Sequence, residues 1–270
     1  MAVFTAYSDE SGVADPSGEF LVCGYVAEER VWPFVNAAWQ ERVLDGPPKL
    51  PYFHMKEMRR PEWRQQHAIT FNDAETRIAQ AILVLYGTGS MSALASVINR
   101  RDLQDVFHSK FKRKKQVPIG LDEPDYFCFV AYVAFVLGEV YRKYPDATKV
   151  NFVVSRKEPV TKRLNSLYKT IKDFFDQDRP YLSRLLGELI PASMEDELPL
   201  QAADLLGWHI QKYYANTFDR LEEGRIAMLV KDRDGYMHQW ERSELEEMAK
   251  NLKISSPSRP SPSLSPLPRL

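Results

Sequence analysis

Residues 3–26 read VFTAYSDESGVADPSGEFLVCGYV, and this stretch decides the fold. Two runs rich in β-branched and aromatic residues, 3–8 and 19–26, flank a segment of Ser, Gly, Asp and Pro at 11–18. That pattern predicts an antiparallel hairpin. Side chains alternate on an extended chain, so Val3, Thr5, Tyr7 and Asp9 share one face while Phe4, Ala6, Ser8 and Glu10 share the other. Asp9 and Glu10 therefore leave the first strand on opposite sides, at its end.

Downstream of the hairpin, helices and strands alternate. Residues 31–44 carry Trp32, Val35, Trp39 and Val43 near helical spacing, and Gly46-Pro47-Pro48 ends that helix. A loop holding YFHMKEMRRPEW at 52–63 precedes a helix at about 73–86, capped by Asn72 or Asp73. Residues 92–98 predict a strand, 100–121 a charged and irregular stretch, and 122–143 a helix apolar on nearly all sides. Such a helix is buried, in the core or in the interface of a homodimer. A short strand at 149–154, a striped helix at 161–177, a weak strand at 185–190 and a helix at 199–214 with proline in its first turn complete the series. Residues 219–252 predict further charged helix. The succession defines an α/β chain whose mixed sheet grows from the hairpin.

The chain has 270 residues, of which 44% are hydrophobic, enough for a packed core. One α/β domain is expected over residues 1–252, with a helical insertion at about 100–145. The remaining 253–270 are crowded with Ser and Pro and predict a disordered tail. Lys and Arg number 36 against 37 Asp and Glu, so no global basic field holds nucleic acid or an anionic membrane, and any such contact needs a local patch. Cys23 and Cys128 both lie in apolar runs, which predicts buried thiols in a reducing compartment. No basic leader opens the chain, and the longest apolar stretch, 126–138, is too short for a span. A cytoplasmic protein without a membrane partner is the expectation.

Four places are able to carry chemistry. Asp9-Glu10-Ser11-Gly12 ends the first strand, and a carboxylate held rigidly there suits Mg²⁺, which demands oxygen ligands in near-octahedral geometry. An ordinary turn has the same composition. In LPLQAADLLGW, Gln201 and Asp204 sit early in an apolar helix. Burial of Asp204 requires a cation or hydrogen-bond donors, whereas a place on the solvent face would merely complement the helix dipole. His54 and Glu57, three apart in FHMKEM, share a face if helical and supply a ligand or general base; the alternative is a loop histidine and a solvated acid. Lys110, Lys112, Arg113, Lys114 and Lys115, with Phe111 among them, form a basic run that suits a phosphate backbone or simply a solvated loop. Neither HExxH nor a CxxC pair occurs, nor do GxSxG, GxGxxG or GxxxxGK[ST]. Zinc sites, the hydrolase elbow, dinucleotide binding and the P-loop lose their usual signatures.

Taken together, YSDESG after the first strand, FHMKE, KVNFVVS on a later strand and PLQAADLLGW on a late helix resemble the domain-of-unknown-function 3800 family. The family looks like a branch of the ribonuclease H-like superfamily, whose members hold divalent metals with acids from the first strand, a central strand and a late helix. The resemblance implies a ribonuclease H-like mixed sheet and metal-dependent phosphodiester hydrolysis. It makes Asp9, Glu10, Glu57 and Asp204 the catalytic set, with Asp9, Asp204 and Glu57 binding Mg²⁺ or Mn²⁺. His54, Ser155, Glu158 and Gln201 would support them, and the basic run would hold nucleic acid. One departure stands out: many relatives carry an acid where this chain has Ser155, with Glu158 three residues on. A non-catalytic module that binds nucleic acid or a protein is the competing reading, and a hydrolase of another small phosphate uses the same residues.

Overall fold

A six-stranded mixed sheet organises the chain in the computed structural model, which describes residues 1–12, 18–110, 120–155, 160–231 and 235–254. Its strands are β1 (Ala2–Ser11), β2 (Glu19–Glu28), β3 (Met91–Asn99), β4 (Ala147–Ser155), β5 (Leu186–Ala192) and β6 (Tyr236–Trp240), in the spatial order β5-β4-β1-β2-β3-β6. The hairpin forms as expected: β1 and β2 are antiparallel, with Tyr7 opposite Tyr25 and Asp9 opposite Cys23. β3 continues the meander antiparallel to β2, β4 runs parallel to β1, β5 parallel to β4, and β6 parallel to β3.

Helices cover both faces of this sheet. They are α1 (Trp32–Trp39), α2 (Met55–Arg59), α3 (Pro61–Gln66), α4 (Phe71–Gly87), α5 (Arg100–Lys110), α6 (Pro124–Lys143), α7 (Val160–Asp178), α8 (Pro180–Ser183), α9 (Leu198–Tyr214), α10 (Arg220–Ile226) and α11 (Arg242–Ile254). Strand alternation divides the core in two. Phe4, Ala6, Phe20 and Val22 pack with α6 and with Leu167, Phe175 and Leu182. On the opposite face Tyr7, Leu21, Cys23 and Tyr25 pack with Trp32 and Trp39 of α1, Ile78 of α4 and Leu205 of α9. Helix α9 approaches β1 and β2 closely because Gly207 faces them. A Cβ at this position would stand 3.2 Å from Cys23 Sγ and 3.4 Å from Ser11 Cβ. Ser11 Oγ also donates to Gln211 Oε1 at 2.7 Å, one turn further along the helix.

Several expectations need correction. The loop at 52–63 contains two short helices, α2 and α3. Helix α4 begins earlier than expected because Thr70 is the cap: its hydroxyl accepts from Asp73 N while the Asp73 carboxylate accepts from Thr70 N, a reciprocal capping box. Residues 100–110 are helical, since Leu103, Val106 and Phe107 are buried together on one side of α5. Within 219–252 the chain inserts β6, whose Trp240 indole donates to the Ser96 hydroxyl of β3 at 3.1 Å. The apolar stretch at 126–138 belongs to the twenty-residue α6, which is long and apolar enough to cross a membrane by length and composition, yet 67% of its apolar window is buried inside the protein. Glu158 and residues 111–115 of the basic run lie outside the described residues, as do 255–270 of the expected tail. Lys110 ends α5, but its side chain is not among those described.

Candidate active site

Asp9 and Asp204 come together from the first strand and the late helix. Asp9 is buried and stands opposite Cys23 in the hairpin register. The Cys23 thiol reaches across to Ala203 O at 3.6 Å, the residue before Asp204. Burial pushes the Cys23 thiol well up, and the Asp9 and Asp204 carboxylates push it further, so both acids bear on one buried sulfur. The turn reading of Asp9 and the solvent reading of Asp204 both give way to this arrangement.

Asp204 is satisfied locally. Its Oδ2 accepts from Met55 N at 2.7 Å, at the start of α2, and its Oδ1 lies 3.3 Å from His54 Nε2. A carboxylate on the first N–H of a helix receives an orphan donor and the positive end of the dipole at once. Helix α2 needs that support, because it spans five residues and no side chain of its own caps it. Its apolar side, Met55 and Met58, is fully buried. Glu57 then falls on the His54 side, with Oε1 3.9 Å from His54 Nδ1. The shared face expected for His54 and Glu57 is therefore present, with His54 between two acids.

Electrostatics follows from this placement. Burial alone would lower the His54 pKa, but the bond to Asp204 and the charges of Asp204, Glu57 and Asp9 outweigh it, so the pKa rises above its ordinary 6.5. Tyr52 stands beside Glu57; burial first and then Glu57 push its hydroxyl up to about 12, which keeps it protonated as a donor. Glu57 Oε2 is buried and has no hydrogen-bond partner among the described residues. Across β1, the Tyr7 hydroxyl donates to Glu197 Oε2 at 3.3 Å, just ahead of α9.

Gln201 acts on the backbone around the site. It is fully buried, and its Oε1 accepts from Trp39 Nε1 at 2.9 Å and from Phe53 N at 3.1 Å, while its Nε2 donates to Met194 O at 2.7 Å. It clips α1, the residue before His54 and the segment after β5 onto α9. Three residues on, Asp204 holds Met55, so the backbone on both sides of His54 is fastened to one helix.

The remaining residues are placed as follows. Glu10 takes the face opposite Asp9 and borders a cleft with Ser8, Asp125 and Phe129; Asp9 and Ser155 also reach this cleft at the ends of β1 and β4. Ser155 closes β4 beside the end of β1, where Val154 pairs with Ser8. Among the described residues, no three His, Cys, Asp or Glu side chains stand in metal-holding geometry. The participants missed by sequence reasoning are Tyr7, Tyr52, Trp39 and Cys23. Only the tyrosine beside FHMKE offered a local hint. Compared with known proteins, the sequence matches no family model and no curated protein.

Proposed function

We propose that the chain is a divalent-metal-dependent phosphodiester hydrolase of the ribonuclease H-like kind, related to the domain-of-unknown-function 3800 family. The observation that carries this reading is the meeting of Asp9 and Asp204 at one buried thiol, from the first strand and the late helix. The donor chemistry suits a hard cation such as Mg²⁺ or Mn²⁺, because it consists of carboxylates and because Glu57 Oε2 is buried with no hydrogen-bond partner among the described residues, although no three such side chains there already stand in metal-holding geometry. Asp9 and Asp204 would hold the ion, with Glu57 at the rim. Bound there, it would supply Lewis-acid polarisation of a phosphoryl oxygen and an activated water.

The chain's own side chains do the rest. Gln201 and the Met55 N–H hold the backbone around His54, so the imidazole stays between Asp204 and Glu57. Met55, Met58 and Phe53 are fully buried behind it and exclude water from that side. Tyr52 faces Glu57 with a proton that it keeps at neutral pH. Nucleic acid is the proposed substrate, in a cytoplasmic setting.

A second reading, a non-catalytic module binding nucleic acid or a protein, has its own support. Both Asp204 oxygens already have partners in Met55 N and His54 Nε2, and Ser155 supplies no carboxylate at the end of β4. The deciding experiment has two arms. Mn²⁺ binding is measured by calorimetry on the full chain, and cleavage of single- and double-stranded DNA and RNA is followed with and without Mg²⁺ or Mn²⁺. Metal-dependent cleavage lost in both Asp9→Asn and Asp204→Asn is expected. Absence of cleavage, or cleavage indifferent to both substitutions, refutes the hydrolase reading.

A further inference from the structure

We infer that Arg59 is a positioning residue that holds Glu57 in the site through an ion network with α4 and α10, an inference that rests on the carboxylate site proposed above. Arg59 closes α2, two residues beyond Glu57. Its guanidinium bonds Glu75 of α4 through Nη1, lies 3.9 Å from Glu222 of α10 through Nη2, and covers the Trp208 ring of α9 with its carbon 5.1 Å from the centroid. The two acids are themselves fixed. Glu75 Oε2 accepts from Arg225 at 2.7 Å, and Glu222 accepts from Lys212 at 2.9 and 3.2 Å while completing the capping box of α10. Glu222 and Arg225 are buried.

A helix of five residues has no stability of its own, so its position is set by what holds its ends. Asp204 fastens the first N–H of α2, and Arg59 fastens its last residue to three other helices. Glu57 lies between the two ties; Tyr52 bonds its side chain, and its Oε2 has no hydrogen-bond partner among the described residues. A planar fork spanning two carboxylates and stacked on an indole is a task that lysine, a single compact charge, does not perform. Loss of the fork removes the ties of α2 to α4, α9 and α10 and leaves its far end held by the buried Met58 and by Arg64 donating to Met58 O, and Glu57 turns away from His54.

The test is a cycle of Arg59→Lys and Glu57→Gln, alone and combined, with Glu75→Gln as a second way to cut the tie. Two signals are read on the full chain: Mn²⁺ affinity by calorimetry, and the His54 ring resonance in a ¹⁵N-histidine spectrum of metal-free protein at fixed pH. Arg59→Lys and Glu75→Gln are each expected to weaken Mn²⁺ binding about tenfold or more, the usual size for groups that orient a ligand. Both should shift the His54 signal in the direction that Glu57→Gln shifts it. In the Glu57→Gln background, Arg59→Lys should add nothing. A purely structural role would lower the melting temperature and leave the His54 signal unmoved, and an additive double variant would show that Arg59 does not act through Glu57. Either outcome overturns the inference. Wild-type protein that binds no Mn²⁺ refutes the metal site instead, and the resonance arm still decides whether Arg59 positions Glu57.

Discussion

Replacing Gln201 with methionine should destabilise the fold far more than a single polar-to-apolar exchange on the surface. Methionine matches glutamine in length and adapts its shape to the space, so no cavity opens. What changes is hydrogen bonding. Trp39 is 1% exposed and Phe53 0%, and among the described residues both lose the acceptor they have, Gln201 Oε1. Each stranded buried donor costs about 1–3 kcal/mol, so the pair costs roughly 2–6 kcal/mol. That is a large part of the ~5–15 kcal/mol that holds a typical domain together. Met194 O, on a half-buried residue, loses the Gln201 amide but recovers part of the loss from water. Urea unfolding followed by tryptophan fluorescence is the assay, with the midpoint expected to fall and the slope to stay constant. The melting temperature should fall by at least about 4 °C, since each kcal/mol moves a chain of this size by about 2–4 °C. A loss below about 1 kcal/mol would refute the reasoning, because it would mean that the two donors find other partners. Ser11→Ala, which removes a half-buried contact to Gln211, is the matched control and should cost less.

Three further outcomes follow from the same geometry. His209 is buried, its Nδ1 bonds Leu205 O at 2.8 Å, and burial pushes its pKa down to about 4. The unfolded chain protonates this group near 6.5, so about 3 kcal/mol of stability is lost as pH falls from 6.5 to 4, and His209→Leu should flatten that limb of the urea-midpoint profile. His54 acts in the opposite sense. Its raised pKa contributes stability that is full below about 6.5 and fades as pH rises through the folded value, so Asp204→Asn in metal-free buffer should lower its pKa by NMR titration, and an unmoved pKa would remove Asp204 as the cause. Gly207→Leu should cost about 1–3 kcal/mol by forcing α9 off β1 and β2, and unchanged unfolding would show that the helix has room there.

The hairpin was legible because alternation and turn composition agree over residues 3–26. The helices with long apolar stripes, α4, α7 and α9, were legible for the same reason. Strand β6 was not, since YMHQW is five residues long, mixes polar and aromatic side chains, and gains its place by pairing with β3. Helix α5 hid behind its charges; Leu103, Val106 and Phe107 carry the spacing, but six of its eleven residues are Arg, Asp, Lys or His. Thr70 is hard to pick out although Thr-x-x-Asp is a capping signature, because Asn72 and Asp73 stand closer to the first apolar positions. In the site, Asp9, His54, Glu57 and Asp204 were readable as motif residues. Their ties were not. Asp204 is held by a backbone N–H, Gln201 by an indole and another backbone N–H, and Arg59 by acids on two distant helices, none of which leaves a local pattern in the chain.

The two cysteines give the sheet a pair of built-in clocks. Cys23 reaches from β2 to Ala203 of α9, and Cys128 reaches from α6 to Phe20 O of β2 at 3.7 Å, so each thiol spans one of the two helix–sheet seams. Both are fully buried, and burial raises both pKa values, so neither forms a reactive thiolate while its seam is closed. Pulse alkylation of the unmodified chain followed by peptide mass analysis therefore times the opening of each face separately. The ratio of the two labelling rates tells whether the face that carries Asp9 and Asp204 parts before, after or together with the face beneath α6.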